Sequence, residues 1–227
     1  MIRFLTAGES HGQVLVVVLD GVPAGLALSE STINVDLARR QLGYGRGRRM
    51  VIEQDQVEIL SGVRGGFTIG SPIALQIRNR DWVNWQFTMS PALEPDPALP
   101  GARRAAVTRP RPGHADLAGG LKYQRADMRD ILERASARET AARVAAGAVA
   151  RALLAATGIQ VASHVTAIGG AAVADPLAYD FALIAALTDD DGVRCADTAV
   201  GAEMRGRVDA AREKGDTVGG AFEVIAH

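Results

Sequence analysis

The sequence predicts an α+β fold in which antiparallel sheets pack on long helices. Strand-like segments come in runs and neighbouring pairs, whereas a doubly wound parallel fold would alternate each strand with a helix. The longest helical pattern is one alanine-rich stretch over residues 127–158. The 227 residues are enough to bury a substantial core, and no short-period repeat of the solenoid kind is present.

Two pairs of strands are predicted in the first 80 residues. The segments "IRFLTAG" and "VLVVVLDGV" form the first pair, and the second of them is too continuously apolar for a surface element. The turn "GESHG" lies between them and is bounded by glycines. The segments "QVEILSGV" and "SPIALQIRN" form the second pair, with a proline at the edge of the last strand.

Helix boundaries are indicated by capping residues. Ser29 or Ser31 is placed to cap a helix that runs through Leu42. Asp127 is a candidate cap for the long alanine-rich helix, and Gly158 ends it. Alanine along this helix favours close packing against other helices.

The remaining segments differ sharply in regularity. Residues 81–112 are rich in proline and have no periodicity, which predicts a long loop of the kind that is usually functional or disordered. The stretch "RPRPGHADLAGGLKY" (109–123) also lacks an alternating or helical apolar pattern. Further along, "IQVASHVTAIGG" predicts a strand, "GAEMRGRVDAAREKGD" a helix and "TVGGAFEVIAH" a final strand.

Composition excludes several classes of protein. The formal net charge of −1 argues against a general binder of nucleic acid or of membrane surfaces. The single cysteine, Cys195, rules out an internal disulfide framework and fits a reducing cytosol. No signal peptide and no apolar run of about 20 residues is visible. These features predict a soluble, cytoplasmic protein.

Arginines form two clusters beside glycines or prolines that fix the backbone. Arginine binds phosphate and carboxylate through its planar fork, so each cluster predicts a local anion site. Solvated surface charge is the alternative for any single arginine. The clusters are Arg39, Arg40, Arg46, Arg48 and Arg49, and Arg103, Arg104, Arg109, Arg111, Arg125, Arg129, Arg134 and Arg138.

Two histidines lie in similar glycine-containing turns. His11 in "ESHG" and His114 in "PGHAD" each have a carboxylate nearby in sequence, Glu9 or Asp116. A histidine in such a turn can donate a proton to a leaving group or stabilise charge on a cofactor. The alternative is an ordinary polar turn residue. His164 lies in an apolar strand and is interpreted as a buried or interface residue.

The segment "ERASARET" combines polar residues at a spacing of two within the helical stretch. Such residues cannot all share one helical face, so the segment is a candidate turn before the true helix begins. A helix N-terminus there would offer backbone N–H groups to an anion. No P-loop, paired C-x-x-C, H-E-x-x-H or G-x-S-x-G motif is present, and "GYGRG" follows a helix rather than a strand. Cys195 is interpreted as a small buried hydrophobic residue.

Five long segments resemble chorismate synthase, in order and nearly without gaps from Met1 to His227. They are "AGESHG", "LARRQLGYGRGRRM", "TRPRPGHAD", "LERASARETAARVAAGAVAR" and "GDTVGGAFEV". The resemblance implies anti-1,4 elimination of phosphate from 5-enolpyruvylshikimate 3-phosphate to give chorismate, in the shikimate pathway. It implies a requirement for reduced FMN without net redox change, a homotetramer, and a β-α-β sandwich of helices between antiparallel sheets.

The resemblance also implies roles for individual residues. His11 matches the acid that protonates the departing phosphate, and His114 matches the group that protonates or stabilises the reduced flavin. The first FMN-binding segment corresponds to Arg134, Ala135 and Ser136. Positions assigned to NADP contact correspond to Arg40 and Arg46, which are equally suited to the substrate phosphate, and NADPH is a candidate reductant.

Members of the family continue well beyond the position of His227. We therefore expect residues 1–227 to be the truncated N-terminal portion of a chorismate synthase domain. A second hypothesis is a non-catalytic domain that binds anions or flavin and needs a separately encoded second half. A third is an NADPH-dependent flavin reductase, which rests only on Arg40 and Arg46.

Overall fold

A computed structural model describes residues 1–45, 54–190 and 192–227. These residues divide into two compact units. The first lies within residues 1–37 and 52–149, and the second lies within residues 38–51 and 150–227. Each unit contains an antiparallel sheet, and both also contain helix. The α+β class with antiparallel sheets is therefore confirmed.

The sheet of the first unit has four strands. In chain order the strands of this unit are β1 (Arg3–Ala7), β2 (Val14–Asp20), β3 (Val57–Ser61), β4 (Val63–Arg64), β5 (Phe67–Thr68) and β6 (Ile73–Arg78). Across the sheet the order is β1-β2-β6-β3, and β4 and β5 form a separate ribbon. Gly65 and Gly66 in the turn of this ribbon have φ angles of 60° and 82°, as a tight hairpin turn requires.

Alternate residues of the two central strands fill the buried face of this sheet. Three cross-strand pairs lie there, each residue at most 2% exposed: Leu15 with Ile77, Val17 with Leu75, and Leu19 with Ile73. Burying one such side chain stabilises the fold by about 1.5–3 kcal/mol. Both predicted strand pairs are confirmed, since β1 pairs with β2 and β3 with β6.

Helix α1 (Glu30–Gln41) begins where the sequence indicates. Ser29 is the cap, because its Oγ accepts the backbone N–H of Thr32 at 3.2 Å. The predicted end is one residue late, since Leu42 lies outside the helix and is 52% exposed.

Helix α2 (Asp116–Tyr123) corrects the prediction that residues 109–123 lack helix. Two glycines inside it hide the helical pattern but allow close packing: a Cβ on Gly119 would overlap Ile131, and one on Gly120 would lie 2.8 Å from Met128 Cε. Tertiary contact thus outweighs the low helix propensity of glycine. The helix ends at Gln124, whose φ of 54° is left-handed.

The predicted long helix is divided in two. Helix α3 (Arg129–Leu132) is a single turn, and α4 (Glu139–Ala156) is the long alanine-rich helix. Residues 133–138 are turns and bends, which confirms that the early part of "ERASARET" precedes the true helix. Asp127 lies beside α3, where its Oδ1 accepts the backbone N–H of Arg129. The predicted end is confirmed at Gly158, whose φ is 83°.

The second unit is built on a three-stranded sheet of order β8-β7-β9. Its elements after α4 are β7 (Val161–Ile168), β8 (Ala171–Ala172), α5 (Phe181–Ala185), α6 (Thr198–Glu213) and β9 (Gly220–Ala226). Helix α6 begins three residues before the predicted start, because the Asp197 carboxylate accepts the backbone N–H groups of Ala199 and Val200. No helix among the described residues is long and apolar enough to cross a bilayer.

Candidate active site

His11 lies in the turn between β1 and β2, and Glu133 holds its ring. Nδ1 of His11 is 2.7 Å from Oε2 of Glu133, and the same oxygen accepts the backbone N–H of His11 at 3.0 Å. The backbone carbonyl of Glu133 accepts the N–H of Ser10 at 2.9 Å. The side chain of Glu133 is 1% exposed and that of His11 is 16% exposed. The ring is therefore fixed through Nδ1 while part of it stays accessible.

The face and the backbone of His11 are also held. Its ring stacks on Trp85, with centroids 3.8 Å apart and an interplanar angle of 29°. The indole N–H of Trp85 donates to Asp81 Oδ2 at 2.7 Å, which fixes the indole in turn. The side-chain amide of Asn79 donates to the carbonyl of Gly12 at 3.0 Å. Two separate chain segments, residues 79–85 and the segment of Glu133, therefore position one histidine.

The carboxylate beside His11 is not the one nearest in sequence. Glu9 was the expected neighbour, but the hydrogen-bonding partner is Glu133, 122 residues away. Sequence reasoning missed Glu133 because contacts between distant segments leave no local spacing. The available signal was its position, since it directly precedes the "RAS" segment that the family resemblance assigns to flavin binding.

His114 is held within its own loop. Its Nδ1 is hydrogen-bonded to Oδ1 of Asp116, as the sequence indicates. Oδ2 of Asp116 accepts the backbone N–H of Arg111 at 3.0 Å and its Nε–H at 3.3 Å. Nη2 of Arg111 lies 3.2 Å from Nε2 of His114. The side chain of Asp116 is fully buried, whereas that of His114 is 24% exposed.

The loop keeps Asp116 ionised. Burial alone raises the pKa of this carboxyl, because desolvation disfavours charge. Hydrogen bonds from the Arg111 backbone, the His114 ring and the Arg111 side chain outweigh the burial, so the pKa lies below its ordinary value. An ionised carboxylate is thus available to orient His114.

A cleft of about 600 Å³ lies next to His114 in the chain. Its walls are formed by Ala115, by α2, by the segment around α3, and by the turn that follows α3. Its lining includes Lys122, Tyr123, Arg125, Asp130, Ile131, Arg134 and Ala135. Of the three residues assigned to FMN by resemblance, Arg134 and Ala135 therefore line a cleft.

The cleft has the chemistry that a flavin mononucleotide requires. Lys122 and Arg134 provide positive charge for a phosphate group, whereas Arg125 is paired with Asp130, which also lines the cleft, at 3.5 Å. Tyr123 and Ile131 provide aromatic and apolar surface for a planar ring. The residues present therefore fit FMN.

Arg134 is oriented from both sides. Its Nη2 donates to the carbonyl and to Oγ1 of Thr6, at 2.8 and 2.9 Å, and its Nη1 lies 3.2 Å from Oε1 of Glu139. Burial raises the pKa of Glu139, but hydrogen bonds from Thr6, Arg143 and Arg134 bring it below the ordinary value. The guanidinium is therefore held in place before any ligand binds.

The start of α4 does not offer its amides to a ligand, contrary to expectation. The N–H groups of Glu139, Thr140 and Ala141 donate to the carbonyls of the turn that begins at Ser136. Ser136 is half-buried and contributes its carbonyl to Glu139. Its hydroxyl remains the atom by which it would contact a cofactor.

The large arginine cluster is divided between binding and folding. Arg138 pairs with Asp55 at 2.9 Å, and both side chains are at most 3% exposed. Arg129 is buried and donates to the carbonyls of Arg103 and Ala105. These two arginines therefore serve the fold, and the cluster as a whole is not a single anion site.

The other cluster belongs to the second unit. Arg40 lies near the end of α1 and is half-buried, whereas Arg46 lies outside the described residues. Arg39 pairs with Asp189 at 3.3 Å and lines a separate cleft of about 260 Å³ together with Arg151 and Arg194.

Two further residues have the expected structural role. His164 is 1% exposed and its Nε2 lies 2.7 Å from Glu223 across the β7–β9 pair. Cys195 is buried in the core of the second unit. Within the described residues, no group of three or more His, Cys, Asp or Glu is placed to hold a metal ion.

Comparison with known proteins connects these features to one family. The sequence profile of chorismate synthase matches residues 2–227. Chorismate synthase of Moorella thermoacetica is 57% identical over 227 residues, and that of Symbiobacterium thermophilum is 54% identical over 224 residues. The match covers 100% and 99% of this chain, respectively, and 57% of each relative.

A solved structure agrees with the sequence comparison. A crystal structure of chorismate synthase superposes with a TM-score of 0.75 at 42% identity, covering 99% of this chain and 57% of the other. The chain thus spans just over half the length of the proteins it matches. From residue 2 to residue 227, this chain belongs to the chorismate synthase family.

Proposed function

We propose that this chain provides His11 and His114 for the chorismate synthase reaction. In that reaction 5-enolpyruvylshikimate 3-phosphate loses phosphate and a proton by anti-1,4 elimination and becomes chorismate. The observation that carries the proposal is the pairing of each histidine with its own buried carboxylate in one unit. Such pairing is typical of histidines that transfer protons, because it fixes which ring nitrogen carries the proton.

His11 is the proposed acid for the departing phosphate. As the C–O bond to the phosphate breaks, the leaving oxygen gains negative charge and can take a proton. Since Nδ1 of His11 is engaged by Glu133, Nε2 of the doubly protonated ring would deliver that proton, and the ring would be left as the neutral Nδ1–H tautomer. Stacking on Trp85 keeps the ring from rotating away.

The cleft beside His114 is the proposed flavin site. Arg134 and Lys122 would hold the phosphate of FMN, and Tyr123 and Ile131 would cover its ring. Reduced FMN, when bound, would lend electron density to the elimination without net oxidation or reduction. His114, held by Asp116 and flanked by Arg111, would place a proton or a positive edge toward the reduced ring.

Reductant, partners and location form the finer part of the proposal. NADPH is the proposed reductant, with Arg40 and Arg46 as its contacts. A homotetramer is proposed because large apolar residues are exposed on outer strands, including Phe4 and Leu5 on β1 and Phe222 on β9. The protein is proposed to act in the cytoplasm on a small-molecule substrate.

Mixing the purified chain with reduced FMN and 5-enolpyruvylshikimate 3-phosphate tests the proposal. We expect chorismate and phosphate to form in equal amounts while the reduced flavin is not consumed. Flavin binding without turnover would favour the non-catalytic binding domain. Oxidation of NADPH with FMN alone would favour a flavin reductase instead.

A further inference from the structure

We propose that Glu133 is the positioning residue that fixes the tautomer of His11. This inference rests on the proposed function, because it concerns the histidine that would protonate the leaving phosphate. The carboxylate contacts the ring and not the reacting atoms, so its effect is transmitted through His11.

The hydrogen-bond geometry determines which nitrogen carries the proton. Oε2 of Glu133 accepts the backbone N–H of His11, and a backbone N–H can only donate. An ionised carboxylate can only accept, and Arg129 lies beside this one. At 2.7 Å from the same oxygen, Nδ1 of His11 must be the protonated nitrogen. Nε2 is left for the substrate.

Packing and a neighbouring cation hold the Glu133 side chain in this arrangement. The side chain is 1% exposed, and its other oxygen lies 3.8 Å from Nη1 of Arg129. Arg129 is itself buried, and its guanidinium lies 5.8 Å from the ring centroid of Trp85. One packed group is therefore formed by Glu133, Arg129, Trp85 and His11. Within this group the Glu133 carboxylate has little room to rotate toward another hydrogen-bonding partner.

Glu133 also holds the backbone that carries the histidine. Its carbonyl accepts the N–H of Ser10 while its side chain accepts the N–H of His11. One residue of the segment around α3 thus fixes two consecutive residues of the turn between β1 and β2. A carboxylate supplied by Glu9, within the turn, would not couple the histidine to the flavin cleft in this way.

NMR of the chain labelled with ¹⁵N-histidine tests the assignment directly. The signals of His11 are assigned by their loss in His11→Asn. At a pH where the ring is neutral, we expect Nδ1 to be protonated and Nε2 to be bare. Glu133→Gln should keep this tautomer, because the side-chain carbonyl can still accept. Glu133→Ala should shift His11 toward the Nε2–H form that an unconstrained histidine side chain favours.

Turnover provides the second readout. Glu133→Ala should slow phosphate release about 10- to 100-fold, the range for removing a carboxylate that orients a functional histidine. Glu133→Gln should restore most of that loss, with KM nearly unchanged in both variants. For the NMR measurement, Asp116→Ala is the matched control. It removes the carboxylate of the other histidine and should leave the His11 spectrum unchanged.

Failure of this inference is distinguishable from failure of the proposed function. A wild-type His11 in the Nε2–H form overturns the inference even if Glu133→Ala does not fold. An Nδ1–H form that persists in folded Glu133→Ala also overturns it. A chain with no turnover refutes the proposed activity of this chain, while the tautomer still decides the role of Glu133.

Discussion

The two histidines are held by the same chemistry over very different chain separations. His114 and Asp116 are two residues apart, whereas His11 and Glu133 are 122 residues apart. The first arrangement is a property of one loop and the start of α2, and the second requires most of the first unit to fold. The difference teaches that one histidine can tolerate distant changes while the other cannot.

The charges around the histidines differ as well. Arg111 lies beside His114, and the neighbouring cleft is lined by three further cations. His11 faces a buried carboxylate and an indole ring instead. On this contrast we base the proposal of separate roles, in which His114 would serve the flavin and His11 would serve the leaving phosphate.

The largest expected effect is on turnover. His11→Ala should slow phosphate release by about 10²- to 10⁴-fold, the usual contribution of a general acid. His114→Ala should also slow phosphate release, by about 10- to 10⁴-fold. A general acid–base role would give a loss of about 10²- to 10⁴-fold, the upper part of this range. Phosphate release at saturating FMN measures both, and His227→Ala is the control. A wild-type rate in either variant would make that histidine an ordinary turn residue.

Removing the two carboxylates should lower the free energy of unfolding by different amounts. Glu133→Ala should lower the free energy of unfolding by about 3 kcal/mol, because it leaves Arg129 buried without this partner. Asp116→Ala should cost about 1.5 kcal/mol, the lower end for charged hydrogen bonds, since Arg111 is half-exposed. Urea unfolding measures both values. Equal losses would contradict the contrast between distant and local assembly.

Flavin affinity should depend on the cleft. Arg134→Ala should weaken FMN binding about tenfold, equivalent to about 1.4 kcal/mol. Titration by flavin fluorescence measures this, with the exposed Lys214→Ala as a charge-matched control. If the two variants bind FMN equally well, the cleft is not the flavin site.

The smallest expected effect is on acid sensitivity. The pKa of Asp116 is lower in the folded chain than its ordinary value of 3.8. The stability it provides is therefore present above pH 3.8 and is lost as pH falls through the folded value. The difference in free energy of unfolding between wild type and Asp116→Asn, measured in urea, should therefore become smaller as pH drops below 3.8. A gap that widens on acidification would contradict the lowered pKa.

The sequence predicts those features that depend on local pattern. A continuous apolar run located β2, and the serines at 29 and 31 located the start of α1. The pairing of His114 with Asp116 followed from a spacing of two. Each of these three features depends on residues that are close together in the chain, so it can be predicted from the local sequence.

Features that depend on packing were missed. Helix α2 contains Gly119 and Gly120, which weaken any helical pattern and are explained only by their contacts with Ile131 and Met128. The only local sign of the role of Glu133 is its place before "RAS", because His11 lies 122 residues away. The burial of Arg138 against Asp55 was hidden for the same reason.

The most direct test of the separate roles is the affinity for reduced FMN of His11→Ala and His114→Ala, measured side by side. We predict that His114→Ala weakens binding about tenfold, equivalent to about 1.4 kcal/mol, while His11→Ala stays within about twofold of wild type. Equal affinities in the two variants, or a larger loss in His11→Ala, would contradict the separate roles proposed for the two histidines.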